Sequence, residues 1–309
     1  MSNLAHNFSR TVSDITNVQV SKPTWNFNDT NWSFEQLDCS YDPELHLMKY
    51  LMNAKPRPNF SSELLHSIQR FYAQVESNCS GVEELDQHLS IDYVVMTSDV
   101  PGIFNLGGDL AVFSRLIRNR QKETLTTYAM DCIDALYTNH TNMNSNVTTI
   151  ALVKGDALGG GFEAALSNDY IVAEKGSKLG FPEALFNIFP GMGAYSFLAR
   201  RIAPALAERM INSASLYTAE ELYDIGVVDM LAEPGQGDKA LVDFVRKHKR
   251  NSITRKSMLT LRDKINPVSY KELKEIGLLW VDAAMSIEEK DLRMMERLVK
   301  AQSRKLLKQ

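Results

Sequence analysis

The sequence is poor in cysteine and lacks long hydrophobic runs. Its three cysteines, Cys39, Cys79 and Cys132, are widely spaced and form no C-x-x-C pair, so they predict neither a disulfide framework nor a zinc site. No segment reaches the roughly 20 apolar residues of a membrane-spanning helix, and MSNLAHNFSRTVSDITNVQV at the amino terminus has no secretory apolar stretch. We therefore expect a cytoplasmic protein with no metal ligands and no membrane insertion.

Neither sign of charge dominates the chain. The 34 basic and 38 acidic residues give a net charge of -4, which offers no general attraction for nucleic acid. The basic run Arg246–Arg250 is typical of a solvated helix end. With 309 residues, 44% of them hydrophobic and 23% charged, the composition is typical of a soluble globular protein large enough to be an enzyme.

Short strands alternate with helices along most of the chain. Residues 1–30 are polar and aperiodic, which predicts a loosely ordered leader. Within residues 31–235, apolar runs such as DYVVMTS and VTTIALVKG are followed by glycine turns and helical patterns, which indicates an α/β core with a largely parallel sheet. Residues 236–309 include apolar side chains at helical spacing and predict a C-terminal helical region.

Two glycine turns in the core are candidate anion-stabilising sites. Gly107-Gly108-Asp109 comes after the strand DYVVMTS, and Gly159-Gly160-Gly161 separates a strand from a helix. Glycine allows a ligand to approach the backbone closely, and an amide at a helix start favours an anionic oxygen. The Gly108 and Gly160 amides are therefore candidate donors of one oxyanion hole, although a helix cap at Asp109 also accounts for the first turn.

Phosphate and nucleophile chemistry is disfavoured. The glycine run fits neither G-x-G-x-x-G nor G-x-x-x-x-G-K-[ST], so no nucleotide site is predicted. The sequence has no G-x-S-x-G elbow, and its six histidines lie outside the glycine motifs.

Two glutamates follow the glycine-rich segments in apolar surroundings. Glu163 comes directly after the glycine run, in FEAALS, and Glu183 comes after Pro182, in FPEALFNIF. A lone glutamate is usually solvated, but an unpaired charge in an apolar stretch is costly unless it serves a site or finds a partner. We predict that both face one cavity as acid and base, and the sequence leaves open which is which.

These residues resemble the crotonase superfamily, which comprises enoyl-CoA hydratases and isomerases. F-x-x-G-x-D is present as Phe104–Asp109 and A-L-G-G-G-x-E as Ala157–Glu163, followed by P-E at 182–183 and P-G-x-G at 190–193. The resemblance covers about residues 90–235. It implies a crotonase fold with a repeated ββα spiral core, paired catalytic glutamates, no cofactor, and assembly as a homotrimer or a dimer of trimers.

Within the superfamily, the sequence is most similar to the synthases of diffusible signal factors, which are cis-2-unsaturated fatty acids used in quorum sensing. The segments FNLGGDLAVF, ALGGGFEAALS, FPGMGAYSF and LWVDAAM carry this likeness. It implies a 3-hydroxyacyl thioester of acyl carrier protein as substrate, dehydration followed by thioester hydrolysis, and a signal-sensor protein as a partner. The alternatives are an enoyl-CoA hydratase or isomerase of fatty-acid metabolism and a non-catalytic binding scaffold.

An acyl substrate needs an apolar pocket. The candidate substrate-binding residues are Leu158, Gly159, Met192, Trp280 and Met285, and ordinary core packing is the alternative for the apolar ones. Trp280 lies in LLWVDAAM, which resembles the family segment that closes the acyl pocket. Residues 236–309 are accordingly expected to complete the pocket and the oligomer interface.

Overall fold

The computed structural model describes residues 28–29, 32–81 and 88–306. The strands are β1 Asn28–Asp29, β2 Leu37–Asp42, β3 Leu47–Met52, β4 Tyr93–Ser98, β5 Ile103–Asn105, β6 Thr148–Val153, β7 Asp156–Leu158, β8 Tyr170–Glu174, β9 Lys178–Gly180, β10 Leu216–Thr218 and β11 Met230–Ala232. The α-helices are α1 Ser62–Ser80, α2 Leu110–Arg118, α3 Lys122–His140, α4 Gly160–Leu166, α5 Ala194–Leu198, α6 Pro204–Ser213, α7 Ala219–Asp224, α8 Gly237–Arg250, α9 Ser252–Ile265, α10 Tyr270–Ala284 and α11 Glu289–Leu306. Short 3-10 helices span Asn142–Asn144 and Pro182–Phe186.

The larger sheet has the strand order β1-β2-β3-β4-β6-β8-β11. Its strands are parallel from β3 to β11, whereas β1 and β2 pair antiparallel at one edge. Every residue of β4 and β6 is buried, as expected for parallel strands that have helices on both faces. The parallel sheet predicted from the βα alternation is confirmed.

Side chains along β4 alternate between two hydrophobic clusters. Val94 and Met96 belong to the larger cluster, which includes α1, α3 and α4. Tyr93 and Val95 belong to a smaller cluster on the opposite face, where α8 contributes Phe244 among others. This two-residue alternation is the period of a strand whose two faces are both covered.

A smaller sheet has the order β10-β9-β7-β5. The strands β5, β7 and β9 each follow a strand of the larger sheet and are parallel to one another, and β10 pairs antiparallel with β9. The chain therefore repeats a ββα unit, one strand for each sheet and then a helix. This is the repeated ββα core that the motif resemblance implied.

The sequence-based boundaries differ slightly from the folded elements. The predicted leader, residues 1–30, lies mostly outside the described residues, but Asn28 and Asp29 form β1 and pair with β2, so the sheet includes two residues assigned to the leader. Ser61 caps α1 by accepting a hydrogen bond from the Leu64 amide, which gives a partner to an amide of the first turn that has none within the helix. Among the described residues, no helix is long and apolar enough to cross a membrane.

Candidate active site

The smaller sheet brings three loops to one edge. Because β5, β7 and β9 are parallel neighbours, their carboxyl ends lie together, where open α/β sheets place ligands. From these ends the chain continues into Gly107-Gly108, Gly159-Gly160 and Pro182-Glu183, respectively. Together with Glu163 on α4, these residues line a single cavity.

The two glycine turns pack directly against each other. Gly107 has a φ of +84°, and a Cβ there would lie 2.8 Å from the Leu158 carbonyl oxygen and 2.9 Å from the Gly160 nitrogen. A Cβ on Gly160 would lie 3.4 Å from the Gly107 Cα. A side chain at 107 would therefore be strained and would separate the two turns. The glycine at this position keeps the Gly108 and Gly160 amides close together.

Both amides are available to a ligand. Within the part of the chain that the structure describes, neither the Gly108 nor the Gly160 N–H donates a hydrogen bond. Gly160 is the first residue of α4, directly after the N-cap Gly159, so its amide belongs to the helix start and has no partner inside the helix. Both glycines are half-buried and line the cavity, so an oxygen bound there can accept hydrogen bonds from both amides.

Asp109 has the structural role that the sequence left open. Its Oδ1 accepts hydrogen bonds from the Ala111 and Val112 amides at 3.0 and 3.2 Å and so caps α2. Gly108 nevertheless lines the cavity. The same turn thus starts a helix and presents an amide at the site.

Glu163 is buried and held by two amides. Its side chain projects from the first turn of α4 and is 1% exposed. Oε1 accepts hydrogen bonds from the Met192 and Ala194 amides at 2.8 and 3.0 Å. Burial raises the pKa of Glu163 to about 7, and the two amides limit the rise because they stabilise the ionised form.

Glu183 lies against Gly159, and one of its two carboxyl oxygens has no donor among the described residues. A Cβ on Gly159 would overlap the Glu183 Oε1, so glycine at this position makes room for the carboxyl group. The Glu183 Oε2 is buried and has no hydrogen-bond partner among the described residues. Burial, and next the charge of Glu163, raise the pKa of Glu183 well above its ordinary value. The surroundings of the two carboxyl groups thus differ, and they favour the protonated form of Glu183 more strongly than that of Glu163.

The raised pKa of Glu163 predicts a pH dependence. Below about pH 7 Glu163 becomes protonated, so the site loses an ionised carboxyl group that can act as a base. We expect kcat/KM to rise with pH up to about 7 and to fall again only where Glu183 ionises, which is measured by steady-state kinetics across pH 5 to 10 on the substrates proposed below. A rate that stays constant down to pH 5 would contradict the raised pKa of Glu163.

An apolar cavity extends from the glutamates. The helices α1, α2, α3, α10 and α11 all contribute apolar side chains to its lining. Of the predicted substrate-binding residues, Gly159, Met192 and Trp280 line this cavity. The Trp280 ring packs on the Gly191 Cα. It also packs edge-on against the Phe113 ring, with 5.3 Å between the two ring centroids.

Two predicted pocket residues lie elsewhere. Leu158 packs with Ile103 and Leu106 in a separate small cluster, because its position at the end of β7 directs the side chain away from the cavity. Met285 is the C-cap residue of α10, and its carbonyl accepts a hydrogen bond from Arg120. Neither is among the lining residues, so the structure does not place these two predicted residues at the cavity.

Tyr128 is a residue at the site that the sequence analysis missed. Its buried hydroxyl donates to the Phe60 carbonyl at 2.7 Å, and the Phe60 amide donates to the Gly107 carbonyl at 2.8 Å. Through Phe60, Tyr128 thus stabilises the turn that includes the Gly108 amide. Nothing in the helical pattern around TYAMDC marks this tyrosine, because its partner is a backbone group distant in sequence.

We expect Tyr128→Phe to lower kcat about fivefold with little change in KM, since one lost hydrogen bond is worth about 1 kcal/mol and would loosen an oxyanion donor. Steady-state kinetics measure both constants. Tyr137→Phe is the matched control on the same helix, because Tyr137 packs on Tyr270 outside the cavity. A rise in KM alone would show that Tyr128 shapes the pocket and does not position the turn.

Among the described residues, no group of histidine, cysteine and carboxylate side chains is arranged to hold a metal ion. The described site presents two backbone amides, of Gly108 and Gly160, and two carboxyl groups, of Glu163 and Glu183.

Comparisons with known proteins agree with this architecture. A family model described as enoyl-CoA hydratase/isomerase matches residues 75–262, which is more than half of the chain. Mitochondrial methylglutaconyl-CoA hydratase of Rattus norvegicus is 33% identical over 160 residues, which are 52% of this chain and 49% of that protein. The chain thus spans about half the length of that relative. Crotonyl-CoA hydratase of Syntrophomonas wolfei is 28% identical over 201 residues, covering 64% of this chain and 70% of the relative.

A solved structure shows the same fold. Human mitochondrial Δ3-Δ2-enoyl-CoA isomerase superposes with a TM-score of 0.70 at 18% identity and covers 88% of this chain and 99% of its own. At this identity the similarity concerns the fold alone. The crotonase fold predicted from the motifs is confirmed.

Proposed function

The chain belongs to the enoyl-CoA hydratase/isomerase family, and from this membership we propose that it is a lyase that interconverts 3-hydroxyacyl and 2-enoyl thioesters. The observation that carries the proposal is the geometry at one end of the apolar cavity. Two unpaired backbone amides, of Gly108 and Gly160, lie there with two glutamates whose carboxyl pKa values are both raised.

The thioester carbonyl oxygen would bind between the two amides. Donors that are already oriented stabilise the enolate charge by about 3 kcal/mol each, which makes the C2 proton removable. One of Glu163 and Glu183 takes that proton, and the other gives its proton to the leaving 3-hydroxyl group, which departs as water. Elimination and the reverse addition both require one ionised and one protonated carboxyl, and the different surroundings of the two glutamates support such a division.

At finer detail, we propose that the substrate is a 3-hydroxyacyl group on acyl carrier protein and that the product is a free cis-2-unsaturated fatty acid, a diffusible signal. The likeness of four sequence segments to the signal synthases supports this. The same two amides would stabilise the tetrahedral intermediate of thioester hydrolysis, with a glutamate activating water. In that second step the C–S bond breaks and the carrier thiol leaves with a proton.

We also propose that the chain assembles as a homotrimer or a dimer of trimers. The structure describes the whole of helix α9, and none of its residues is buried. Two of them are large apolar residues, and Ile253 is 83% and Ile265 80% exposed. Exposed apolar side chains of this kind are typical of an interface. A signal-sensor protein is proposed as a further partner on the resemblance alone.

Purified protein incubated with 3-hydroxydodecanoyl acyl carrier protein, with products followed by mass spectrometry, tests the function. Free cis-2-enoic acid supports the bifunctional synthase, and an enoyl thioester without free acid supports a dehydratase alone. Turnover of the coenzyme A thioester only would favour the hydratase of fatty-acid metabolism. No turnover of either thioester would contradict the lyase and favour a binding scaffold.

A further inference from the structure

The residues that line the cavity differ in burial from one side to the other. Where α1, α3 and the end of α4 contribute, the lining includes Tyr72, Leu136 and Ser167, all of them buried, and this part is called the closed branch. On the open side α11 contributes Leu298 and Gln302, which are partly exposed. Burial of an acyl tail is most favourable where water is excluded, so the tail belongs in the closed branch. The arm that joins the thioester to its carrier then lies on the α11 side.

Helices α1 and α3 run in the same direction along the closed branch. Tyr128 near the start of α3 bonds to Phe60 just before α1, at 2.7 Å. Farther along, the Gln69 side chain donates to the Asp131 carbonyl at 3.1 Å, and Asn144 after α3 donates to Glu76 at 3.0 Å. Lining residues that are later in either helix are therefore farther from the glycine turns.

Each of the three helices gives the same length for the branch. The lining residues extend from Leu65 to Tyr72 on α1, from Tyr128 to Leu136 on α3, and from Gly160 to Ser167 along and just past α4. At 1.5 Å of rise per residue, these intervals of seven or eight residues span about 10 to 12 Å.

The far end of the branch is rigid. The Tyr72 hydroxyl pairs with the buried Tyr50 hydroxyl at 2.8 Å. The Ser167 hydroxyl donates to the Ala164 carbonyl at 2.8 Å and accepts from the Asn139 amide group at 2.9 Å. Because these partners fix both side chains, a longer chain cannot displace them without breaking buried hydrogen bonds.

We infer that Tyr72, Leu136 and Ser167 form a length stop and that the site selects acyl groups of about ten carbons. An extended chain with C–C bonds of about 1.5 Å advances about 1.3 Å per carbon. A branch of about 10 to 12 Å then holds eight or nine carbons beyond the carbonyl. This inference rests on the proposed function for the position of the thioester at the glycine turns.

Two measurements separate the inference from the proposed function. Binding of non-reactive acyl thioethers from four to sixteen carbons, followed by tryptophan fluorescence, measures the branch directly, and turnover of the matching 3-hydroxyacyl thioesters measures catalysis. We expect affinity to rise about fourfold per carbon, as for burial of a methylene, up to about ten carbons and then to fall. Absence of turnover would contradict the function alone, whereas a binding optimum at four or at sixteen carbons would overturn the length stop.

Substitutions at the far end should move the optimum in opposite directions. Leu136→Ala opens the end and should shift the optimum upward by about two carbons, and Ala135→Leu, at the adjacent lining position, should shift it downward. The readout is the ratio of affinities for twelve-carbon and eight-carbon ligands within each variant, so a general loss of binding cancels. Leu298→Ala, on the α11 side, is the matched control, and a shift there in place of Leu136→Ala would place the tail against α11 and overturn the inference.

Discussion

Replacing Glu163 with glutamine is expected to lower kcat for dehydration by about 10² to 10⁴, the usual contribution of a positioned acid or base. Glutamine keeps the shape of the side chain, and its carbonyl oxygen can still accept hydrogen bonds from the Met192 and Ala194 amides. The loop that holds the glutamate therefore remains in place. Only the ability to gain or lose a proton is removed, and single-turnover kinetics measure the chemical step.

Glu174→Gln is the matched control. Glu174 is also a buried glutamate, and its carboxyl group accepts hydrogen bonds from two backbone amides, those of Gly235 and Gly237, each at 2.9 Å. It does not line the cavity, so its change to glutamine should leave kcat unaltered. Equal losses in the two variants would show that burial of a glutamine, and not the loss of a proton-transfer group, impairs the enzyme.

Exchange of the C2 proton with deuterated water assigns the two carboxyl groups. A saturated acyl thioester has no 3-hydroxyl group to lose, so its exchange needs the base and the two amides only. Of Glu163→Gln and Glu183→Gln, one should lose exchange together with dehydration, and the other should retain exchange. Full exchange in both variants would contradict proton removal by this pair.

Much of the candidate site was predictable because its residues belong to short segments. Gly108, Gly160, Glu163 and Glu183 each follow a strand closely, and the sheet places those strand ends together. Glycines in sequence before a helix indicate an approachable backbone, and glutamates in apolar stretches indicate a perturbed pKa. These signals are local, so the sequence contains them.

Other features depend on contacts between distant segments. The order β5-β7-β9 within a second sheet and the bond from Tyr128 to Phe60 have no local pattern. Leu158 and Met285 were assigned to the pocket from their composition, but the face on which a side chain lies depends on the register of β7 and on where α10 ends. Hydrophobicity alone predicts burial and does not predict which cavity a residue lines.

The second large effect is expected at Gly160, where the backbone donor itself can be removed. Gly160 is the first residue of α4, a position at which proline is tolerated because the missing N–H has no partner in the helix. Gly160→Pro should therefore retain the helix, checked by the melting temperature, while it deletes one oxyanion donor. Loss of one such donor lowers kcat by about 10² to 10³.

Gly160→Ala separates the amide from the added carbon. Alanine keeps the N–H, and its Cβ would lie 3.4 Å from the Gly107 Cα, so it fits with a shift of a few tenths of an ångström at most. We expect the alanine variant to lose much less activity than the proline variant, because only proline lacks the donor. Equal losses would mean that crowding between the turns, and not the amide, controls the rate. Full activity of the proline variant would exclude Gly160 as an oxyanion donor and leave Gly108 as the sole amide of the pair.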